Sequence, residues 1–230
     1  MIKHHPTFEL LKAFVDGELP ASLAAGVAIH ADMCQQCQQQ IALLTEQVAE
    51  ANFEFEQTYL DRFIVDDEQD IAQVASIDFD DMIADITASS DIEELAVLEE
   101  KTIAFNNSTY TLPRALQHMN FGKTAHIGKL ARARIQLDED EIHTSLLHIE
   151  PGGGVPQHTH KGFELTLLLD GSFEDEKGSY VKGDFIMLGG EDTHQPISAK
   201  GCLCYTVAND ALHFTQGINK LLNPIGSFIY

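Results

Sequence analysis

Two sets of potential metal ligands, one in each half of the chain, restrict the folds that this sequence can adopt. The first is His30-x3-Cys34-x2-Cys37, with the pair His4-His5 about 25 residues upstream. It mixes thiolates with imidazoles, which is typical of a closed structural zinc site. The second set contains only imidazole and carboxylate groups, which suit zinc, iron, manganese or nickel in a pocket. Two different sites indicate two small folded regions.

The charge of the chain is distributed unevenly. The 230 residues carry a formal net charge of −22. Residues 1–100 hold three basic and 22 acidic side chains, whereas residues 101–230 hold 11 basic and 14 acidic ones. An acidic surface repels nucleic acid and lipid headgroups and attracts a basic protein. Direct nucleic-acid binding needs a basic footprint, so we expect neither a nucleic-acid nor a membrane partner.

The sequence also predicts a cellular compartment. Met1–Pro20 contains five charged side chains and no apolar core, unlike a signal peptide. No stretch approaches the ~20 apolar residues of a membrane span. Thiolate zinc ligands fit a reducing compartment, so we expect a cytoplasmic protein.

The first part of the chain has the pattern of amphipathic helices. Gly17 and Pro20 separate the first helix from the next. Apolar residues at helical spacing predict helices over Thr7–Val15, over Ala21–Gln47 as one helix or two, over Val48–Phe63 and over Asp70–Ile86. Asp91–Glu100 is acidic and predicts a linker.

After Thr102 the pattern changes to that of short strands. Apolar runs such as Ile142–Ile149, Phe163–Leu169 and Asp184–Leu188 are separated by turn signals, among them Asp170-Gly171. Strands of this length and spacing predict a small β-barrel or sandwich. The chain is therefore expected to be α+β, with its boundary near residues 88–104.

The first ligand set has a geometry that favours zinc. On one helix, His30, Cys34 and Cys37 would share a face, because residues three and four apart are neighbours there. His5 or His4 could complete a tetrahedron. The competing interpretation is a pair of free thiols with surface histidines, since a CxxC pair alone is weak evidence.

The second ligand set is His158-x-His160-x3-Glu164, with His194 thirty residues further on. In a strand, residues two apart face the same side, so His158 and His160 would point together. Three imidazoles and one carboxylate form a tetrahedral or octahedral site with room for water. The competing interpretation is a row of strand histidines without metal.

Both sets lie in motifs that resemble known families. The first set, with its upstream histidine and Gly17-Glu18-Leu19, resembles the zinc-binding anti-sigma signature. The second is similar to the first cupin motif, through the spacing Gly152-x5-His158-x-His160-x3-Glu164-x6-Gly171. The second cupin motif departs from the pattern, because Gly189 stands where proline is usual and Ser198 where asparagine is usual.

The order of the two motifs resembles the ChrR-type zinc-binding anti-sigma factors with a C-terminal cupin domain. This resemblance implies a helical anti-sigma domain over residues 1–87, an acidic linker over 88–104 and a cupin β-barrel over 105–230. It also implies ligand sets. Zinc would be held by His5, His30, Cys34 and Cys37, with His5 assigned over His4 by family spacing; zinc, manganese, iron or nickel would be held by His158, His160, Glu164 and His194.

The same resemblance implies a non-enzymatic regulator of transcription. Its partner would be an extracytoplasmic-function (group IV) sigma factor, held about 1:1 by electrostatic and helix-in-groove contacts that include Val74 and Ile83. An oxidative signal, singlet oxygen or an organic peroxide, would release the sigma factor. The alternative is a cupin metalloenzyme, resembling a dioxygenase that acts on a small carbonyl compound, because a fold does not fix a function.

Two further cysteines, Cys202 and Cys204, alternate on a predicted strand. They are either core cysteines or a vicinal pair that reacts with oxidant.

Overall fold

The computed structural model describes residues 1–63, 79–88, 100–106, 108–209 and 213–214. Its helices are α1 (Phe8–Val15), α2 (Ala21–Met33), α3 (Gln35–Phe63) and α4 (Phe79–Ala88), and a 3₁₀ turn spans Arg114–Leu116. Its strands are β1 (Thr102–Phe105), β2 (Ser108–Thr111), β3 (Asn120–Phe121), β4 (Ala125–Ile127), β5 (Leu130–Gln136), β6 (His143–Ile149), β7 (Gly153–Gly154), β8 (His158–Thr159), β9 (Glu164–Asp175), β10 (Gly178–Val181), β11 (Phe185–Leu188), β12 (Thr193–His194), β13 (Ile197–Ser198), β14 (Cys202–Ala208) and β15 (His213–Phe214). The predicted α+β class, with helices followed by a β-domain, is confirmed.

The helix boundaries follow local sequence signals. Thr7 caps α1, since its hydroxyl accepts a hydrogen bond from the Leu10 amide at 3.3 Å. Gly17 follows α1 with a φ of +74°, a left-handed conformation that glycine adopts easily. The expected break near Val48 is wrong: Gln35–Phe63 contains neither glycine nor proline and forms one continuous helix.

The last predicted helix is described only in part. It was expected over Asp70–Ile86, and the described helix α4 begins at Phe79 and ends at Ala88. Residues 70–78, including Val74, lie outside the described residues.

The central sheet is antiparallel and has the strand order β3-β5-β6-β14-β9-β13-β7. β10 and β11 pair with β9, while β12, β8 and β15 form a separate small sheet. The strands predicted over Ile142–Ile149 and Asp184–Leu188 correspond to β6 and β11.

One predicted turn is a strand interior. Asp170-Gly171 was expected to end the strand that begins near Phe163, but β9 continues to Asp175. The pairing of β9 with β14 shifts register at Leu203 and Cys204, which accommodates an irregularity at this point. Gly171 has a φ of +76°, and a Cβ there would overlap the backbone of Gly201 and Cys202. A glycine is therefore needed for close strand packing rather than for a turn.

The central sheet has two faces with different coverings. One face, here called the outer face, packs in a single cluster with residues of α1, α2 and the beginning of α3; its strand members are Ala131, Ala133, Ile135, Leu146, Leu165, Leu167, Leu169, Phe185, Leu203, Tyr205 and Val207. The alternate residues form the inner face, which encloses a second apolar cluster: Leu130, Leu147, Ile149, Val155, Leu168, Phe173, Tyr180, Ile186, Leu188, Cys202, Cys204 and Ala208. The inner face is the interior of the cupin barrel.

Helix α2 packs closely on the outer face. Gly26 lies against Leu165, because a Cβ on Gly26 would be 2.7 Å from Leu165 Cδ2. The hydroxyl of Tyr205, which is fully buried, donates a hydrogen bond to the Ser22 carbonyl at 2.7 Å. The covering of the sheet by α2 therefore combines apolar burial with a buried polar anchor.

The residues before α1 are attached to the barrel by a buried carboxylate. Asp184 has no solvent exposure. Its Oδ1 accepts hydrogen bonds from the backbone amides of Lys3 at 2.7 Å and His4 at 3.0 Å, and its Oδ2 accepts one from Val181 at 2.8 Å. The Phe185 amide donates to the His4 carbonyl at 3.0 Å. The N-terminal segment thus adds its backbone to the turn between β10 and β11.

Contacts divide the chain into two compact units. One consists of residues 1–44 and 100–230, and the other of residues 45–99. This division differs from the domains expected from the sequence at 1–87, 88–104 and 105–230, which stay a prediction about independently folding parts. The difference arises because α1 and α2 share one apolar cluster with the β-sheet.

Among the helices described, none combines the length and the hydropathy that a membrane-spanning segment needs.

Candidate metal centres

The first ligand set converges into a compact cluster. The ligand atoms of His5, His30, Cys34 and Cys37 all lie within 4.8 Å of one another. His5 Nδ1 is 3.4 Å from Cys34 Sγ and 3.5 Å from Cys37 Sγ, and His30 Nε2 is 3.3 Å from Cys37 Sγ. Zinc–sulfur bonds of about 2.3 Å and zinc–nitrogen bonds of about 2.0 Å give tetrahedral edges of roughly 3.3–3.8 Å. The spacing therefore fits a tetrahedral zinc ion.

The cluster does not lie on the face of a single helix, and that expectation is wrong. Helix α2 ends at Met33, and Cys34 has an extended backbone with φ −123° and ψ 101°. Cys37 then lies in the first turn of α3. The interruption places Cys34 at the junction between the helices and Cys37 just after it, with His30 contributed by the last turn of α2.

His5 joins the cluster and His4 does not. The imidazole of His4 packs against Tyr180, with ring centroids 4.9 Å apart. His5 instead contacts the ring of His30 edge-on, with centroids 5.5 Å apart. The backbone attachment of Lys3 and His4 to Asp184 positions His5 for this contact.

A carbonyl of the cupin barrel orients His30. His30 Nδ1 lies 2.7 Å from the Gly183 carbonyl oxygen, which can only accept, so Nδ1 carries the hydrogen. Nε2 is then free to bind a metal ion, and such outer-shell hydrogen bonds are typical of metal-binding histidines. Burial lowers the pKa of His30, which favours the neutral ligand form.

The thiols of Cys34 and Cys37 need a nearby cation if both are to be deprotonated at the same time. Burial, followed by the proximity of Cys34, raises the pKa of Cys37 to about 12. A coordinated divalent ion reverses this effect, because it deprotonates the thiols that bind it.

The second ligand set also converges, inside the cupin barrel. His158, His160, Glu164 and His194 are all buried, and their ligand atoms lie within 4.8 Å of one another. Glu164 Oε2 is 2.6 Å from His160 Nε2 and 3.3 Å from His194 Nε2. His158 Nε2 and His194 Nε2 are 2.9 Å apart. β8 and β12 pair His158 with His194 directly, and β9 begins at Glu164.

Supporting residues around this cluster fix the orientation of its ligands. The Pro156 carbonyl accepts a hydrogen bond from His158 Nδ1 at 2.8 Å. Asp175 Oδ2 lies 3.4 Å from His194 Nδ1. The Thr166 hydroxyl donates to Glu164 Oε1 at 3.2 Å. His158 and His194 thus direct Nε2 toward the centre of the cluster, as in carboxylate–histidine–metal arrangements.

The protonation states of His158 and Glu164 suit a divalent metal ion. Burial is the main cause that lowers the pKa of His158 to about 4, so the imidazole is neutral at pH 7. Burial opposes ionisation of Glu164, but hydrogen bonds from His160 and His194 outweigh it and lower its pKa well below the usual range. Neutral imidazoles and an ionised carboxylate are the forms that bind metal.

The space beside the second cluster is small. A cavity of about 20 Å³ is lined by His158, Glu164, His194 and the inner-face residues Leu147, Ile149, Val155, Thr166, Phe173, Pro196, Cys204 and Thr206. This volume holds about one water molecule.

Cys202 and Cys204 are core residues of the inner face. Both are buried, and their sulfur atoms lie 4.0 Å apart. Cys204 also lines the small cavity.

Comparisons with known proteins agree with this architecture. Residues 109–211 match the ChrR cupin-like domain family. The anti-sigma-E factor ChrR of Cereibacter sphaeroides is 27% identical over 230 residues, covering 97% of each chain. The crystal structure of Rhodobacter sphaeroides SigE in complex with the anti-sigma ChrR matches with a TM-score of 0.56 and 21% identity, covering 90% of this chain and 99% of that chain. These matches confirm the resemblance that the motifs indicate: the chain is similar to an anti-sigma factor of the ChrR type over nearly its whole length.

Proposed function

We propose that this protein is an anti-sigma factor that sequesters an extracytoplasmic-function (group IV) sigma factor, about 1:1, and releases it on an oxidative signal. The observation that carries the proposal is the 27% identity to an anti-sigma factor over 97% of both chains. Because this similarity covers 97% of both chains, it extends beyond the cupin-like domain at residues 109–211.

The surface of α4 supports a protein partner. Met82, Ile83 and Ile86 are 51%, 56% and 69% exposed. Their spacing places them on one side of the helix, beside the exposed carboxylates Asp81 and Asp85. An apolar stripe bordered by acids fits an apolar groove with a basic rim, which is the helix-in-groove mode of recognition. Sigma factors have basic surfaces for DNA and polymerase, so charge complementarity favours this partner.

The two clusters are proposed as metal sites with different roles. His5, His30, Cys34 and Cys37 would hold zinc, because two thiolates and two neutral imidazoles balance its charge. His158, His160, Glu164 and His194 would hold zinc, manganese, iron or nickel, since this ligand set does not discriminate sharply. The first site stabilises the helices, and the second is the sensor.

The metalloenzyme alternative is less well supported. It rests on the second ligand cluster alone, whereas the similarity to an anti-sigma factor covers 97% of both chains and includes the helical region.

Partner binding can be tested with the full-length protein and its cognate sigma factor. Ile83→Asp places a charge in the apolar stripe and should weaken binding at least about tenfold, since central apolar anchors dominate such interfaces. Ile197→Asp is the matched control, because Ile197 is 50% exposed on the cupin domain. Affinity would be measured by titration calorimetry and inhibition by a purified transcription assay.

Wild-type affinity should also fall with salt, because charge complementarity assists the contact. Wild-type protein that neither binds the sigma factor nor inhibits its transcription would disprove the proposed function.

The release step can be tested at the second cluster. His158→Ala with His160→Ala removes two imidazoles, so metal analysis should find one ion per chain where the wild type holds two. In cells exposed to light and a photosensitiser, this variant should keep the sigma-dependent genes silent, whereas the wild type lets them rise. Normal induction in the variant would place the sensor elsewhere, and two retained metal ions would contradict the assignment of the second site.

A further inference from the structure

Strand β5 directs two arginines toward the interior of the barrel. Along this strand, Ala131, Ala133 and Ile135 belong to the outer-face cluster, whereas Leu130 belongs to the inner-face cluster. Side chains alternate along a strand, so Arg132 and Arg134 share the inner face with Leu130.

The pairing of β5 with β6 confirms this direction. Arg132 lies opposite Leu147, and Arg134 lies opposite Ser145. Directly opposed residues of antiparallel strands project to the same face. Leu147 lines the cavity beside the second metal cluster, so the arginines border the same interior.

Several polar atoms of this group are buried without a partner. Arg132 Nε and Nη1, Arg134 Nε and Ser145 Oγ are inaccessible to solvent and form no hydrogen bond with any residue that the structure describes. Within the described part of the chain, none of the ion pairs includes either arginine. Buried donors without acceptors are costly and rare in folded proteins, and bulk water does not reach these atoms.

The electrostatic influences on this group include no carboxylate among the described residues. Burial, followed by the charge of Arg134, lowers the pKa of Arg132. Burial, followed by Arg134 and Arg132, lowers the pKa of His143, which begins β6 on the same face. The two guanidinium groups are therefore cations beside an imidazole that favours its neutral form.

A polar row connects the arginines to the metal cluster. Across the sheet, Arg134 lies opposite Ser145, Ser145 opposite Thr206, and Thr206 opposite Thr166. Thr166 donates a hydrogen bond to the proposed metal ligand Glu164. This row crosses an inner face that is otherwise lined mainly by apolar side chains.

We propose that Arg132 and Arg134 form an oxyanion-binding site in the cupin barrel, which takes the carboxylate or phosphate group of a small molecule. A guanidinium group binds such oxyanions through two parallel hydrogen bonds and remains charged when buried. The anion would accept from the unpartnered Nε and Nη1 donors and from the Ser145 hydroxyl. The inference does not depend on the proposed anti-sigma function.

Anion binding can be measured on full-length, metal-loaded protein by thermal shift and titration calorimetry. The probes are acetate and inorganic phosphate, which distinguish a carboxylate from a phosphate site. We expect at least one probe to raise the melting temperature of the wild type and of the control Lys123→Gln, in which an exposed lysine of the same domain is neutralised. Arg132→Gln and Arg134→Gln should weaken binding at least about tenfold, because each removes charge-assisted hydrogen bonds.

Two further measurements keep a failure of folding separate from a loss of binding. Arg134→Lys keeps the charge but lacks the planar fork, so it should fold as the wild type and still bind the probe more weakly. Without probe, Arg134→Gln should melt at or above the wild-type temperature, since it removes a buried donor that has no partner. The proposal is overturned if neither probe binds the wild type, or if binding survives in both arginine variants and is lost only with His158→Ala and His160→Ala, which would assign the anion to the metal ion alone.

Discussion

Replacing Cys34 and Cys37 by serine is expected to remove one of two bound metal ions and to disrupt the packing of α1 and α2. Structural zinc contributes roughly 10–16 kcal/mol to the folding of small zinc modules, so its loss exceeds the effect of an ordinary substitution. Both thiols are buried in the outer-face cluster, where unpaired hydroxyl groups would add a desolvation cost. Metal analysis and circular dichroism of the full-length variant would measure both effects.

The paired histidines provide a matched control for this experiment. His5→Ala should lose the same ion, because His5 Nδ1 lies beside both sulfur atoms. His4→Ala should keep it, because the His4 ring packs on Tyr180 outside the cluster. Two metal ions in the double serine variant would show that the first site is not a metal site.

Asp184→Ala should weaken zinc binding at the first site, although it removes none of the proposed ligands. The carboxylate accepts the backbone amides of Lys3 and His4, which precede the proposed ligand His5. Asp184 also comes directly after Gly183 in the sequence, and the Gly183 carbonyl orients His30. Loss of supporting residues around metal ligands typically costs about 10–100-fold in affinity, and a competition titration with a chromophoric chelator would measure the change.

Asp192→Ala is the control for that measurement. Asp192 also accepts a backbone amide, from Gly189 at 2.7 Å, and pairs with Lys177, but none of its hydrogen bonds or ion pairs among the described residues reaches residues 1–7. Zinc affinity should be unchanged in this variant. Equal zinc affinity in Asp184→Ala and the wild type would mean that the N-terminal segment holds His5 without help from the barrel.

The sequence predicted the two ligand clusters because metal ligands have strict spacing requirements. His158, His160 and Glu164 lie in one short motif, and only His194 comes from a distant strand. The fold class was predictable for a related reason, since the change from helical to alternating spacing after Thr102 is long and consistent.

The supporting interactions were not predictable. Gly183 orients His30 through a backbone carbonyl, which every residue carries, so no side chain marks it in the sequence. Asp175 lies eleven residues beyond Glu164 and is one of many acids in the chain. Two helices over Ala21–Gln47 were one of the two expectations, but the position of the break was not predictable, because Cys34 and its neighbours include no glycine or proline to indicate it.

The packing of α2 on the sheet was missed for a different reason. Apolar residues indicate that a face is buried, but they do not identify the surface that buries it. The small residue at Gly26 permits close contact with Leu165, and the contact partner lies 139 positions away. Only the tertiary structure assigns the first helices to the barrel.

The two-faced sheet makes the barrel wall a shared boundary of both proposed metal sites. Glu164 projects into the interior as a proposed ligand, while its neighbour Leu165 projects outward against Gly26, one helical turn before His30. A single peptide bond thus separates a proposed ligand of one ion from a residue that supports the helix proposed to hold the other. If the two ions influence each other across this wall, thermodynamic linkage requires that each changes the binding affinity of the other by the same factor. A signal that removes the ion from the cupin can therefore weaken zinc binding at the first cluster only by the factor by which bound zinc strengthens ion binding in the cupin.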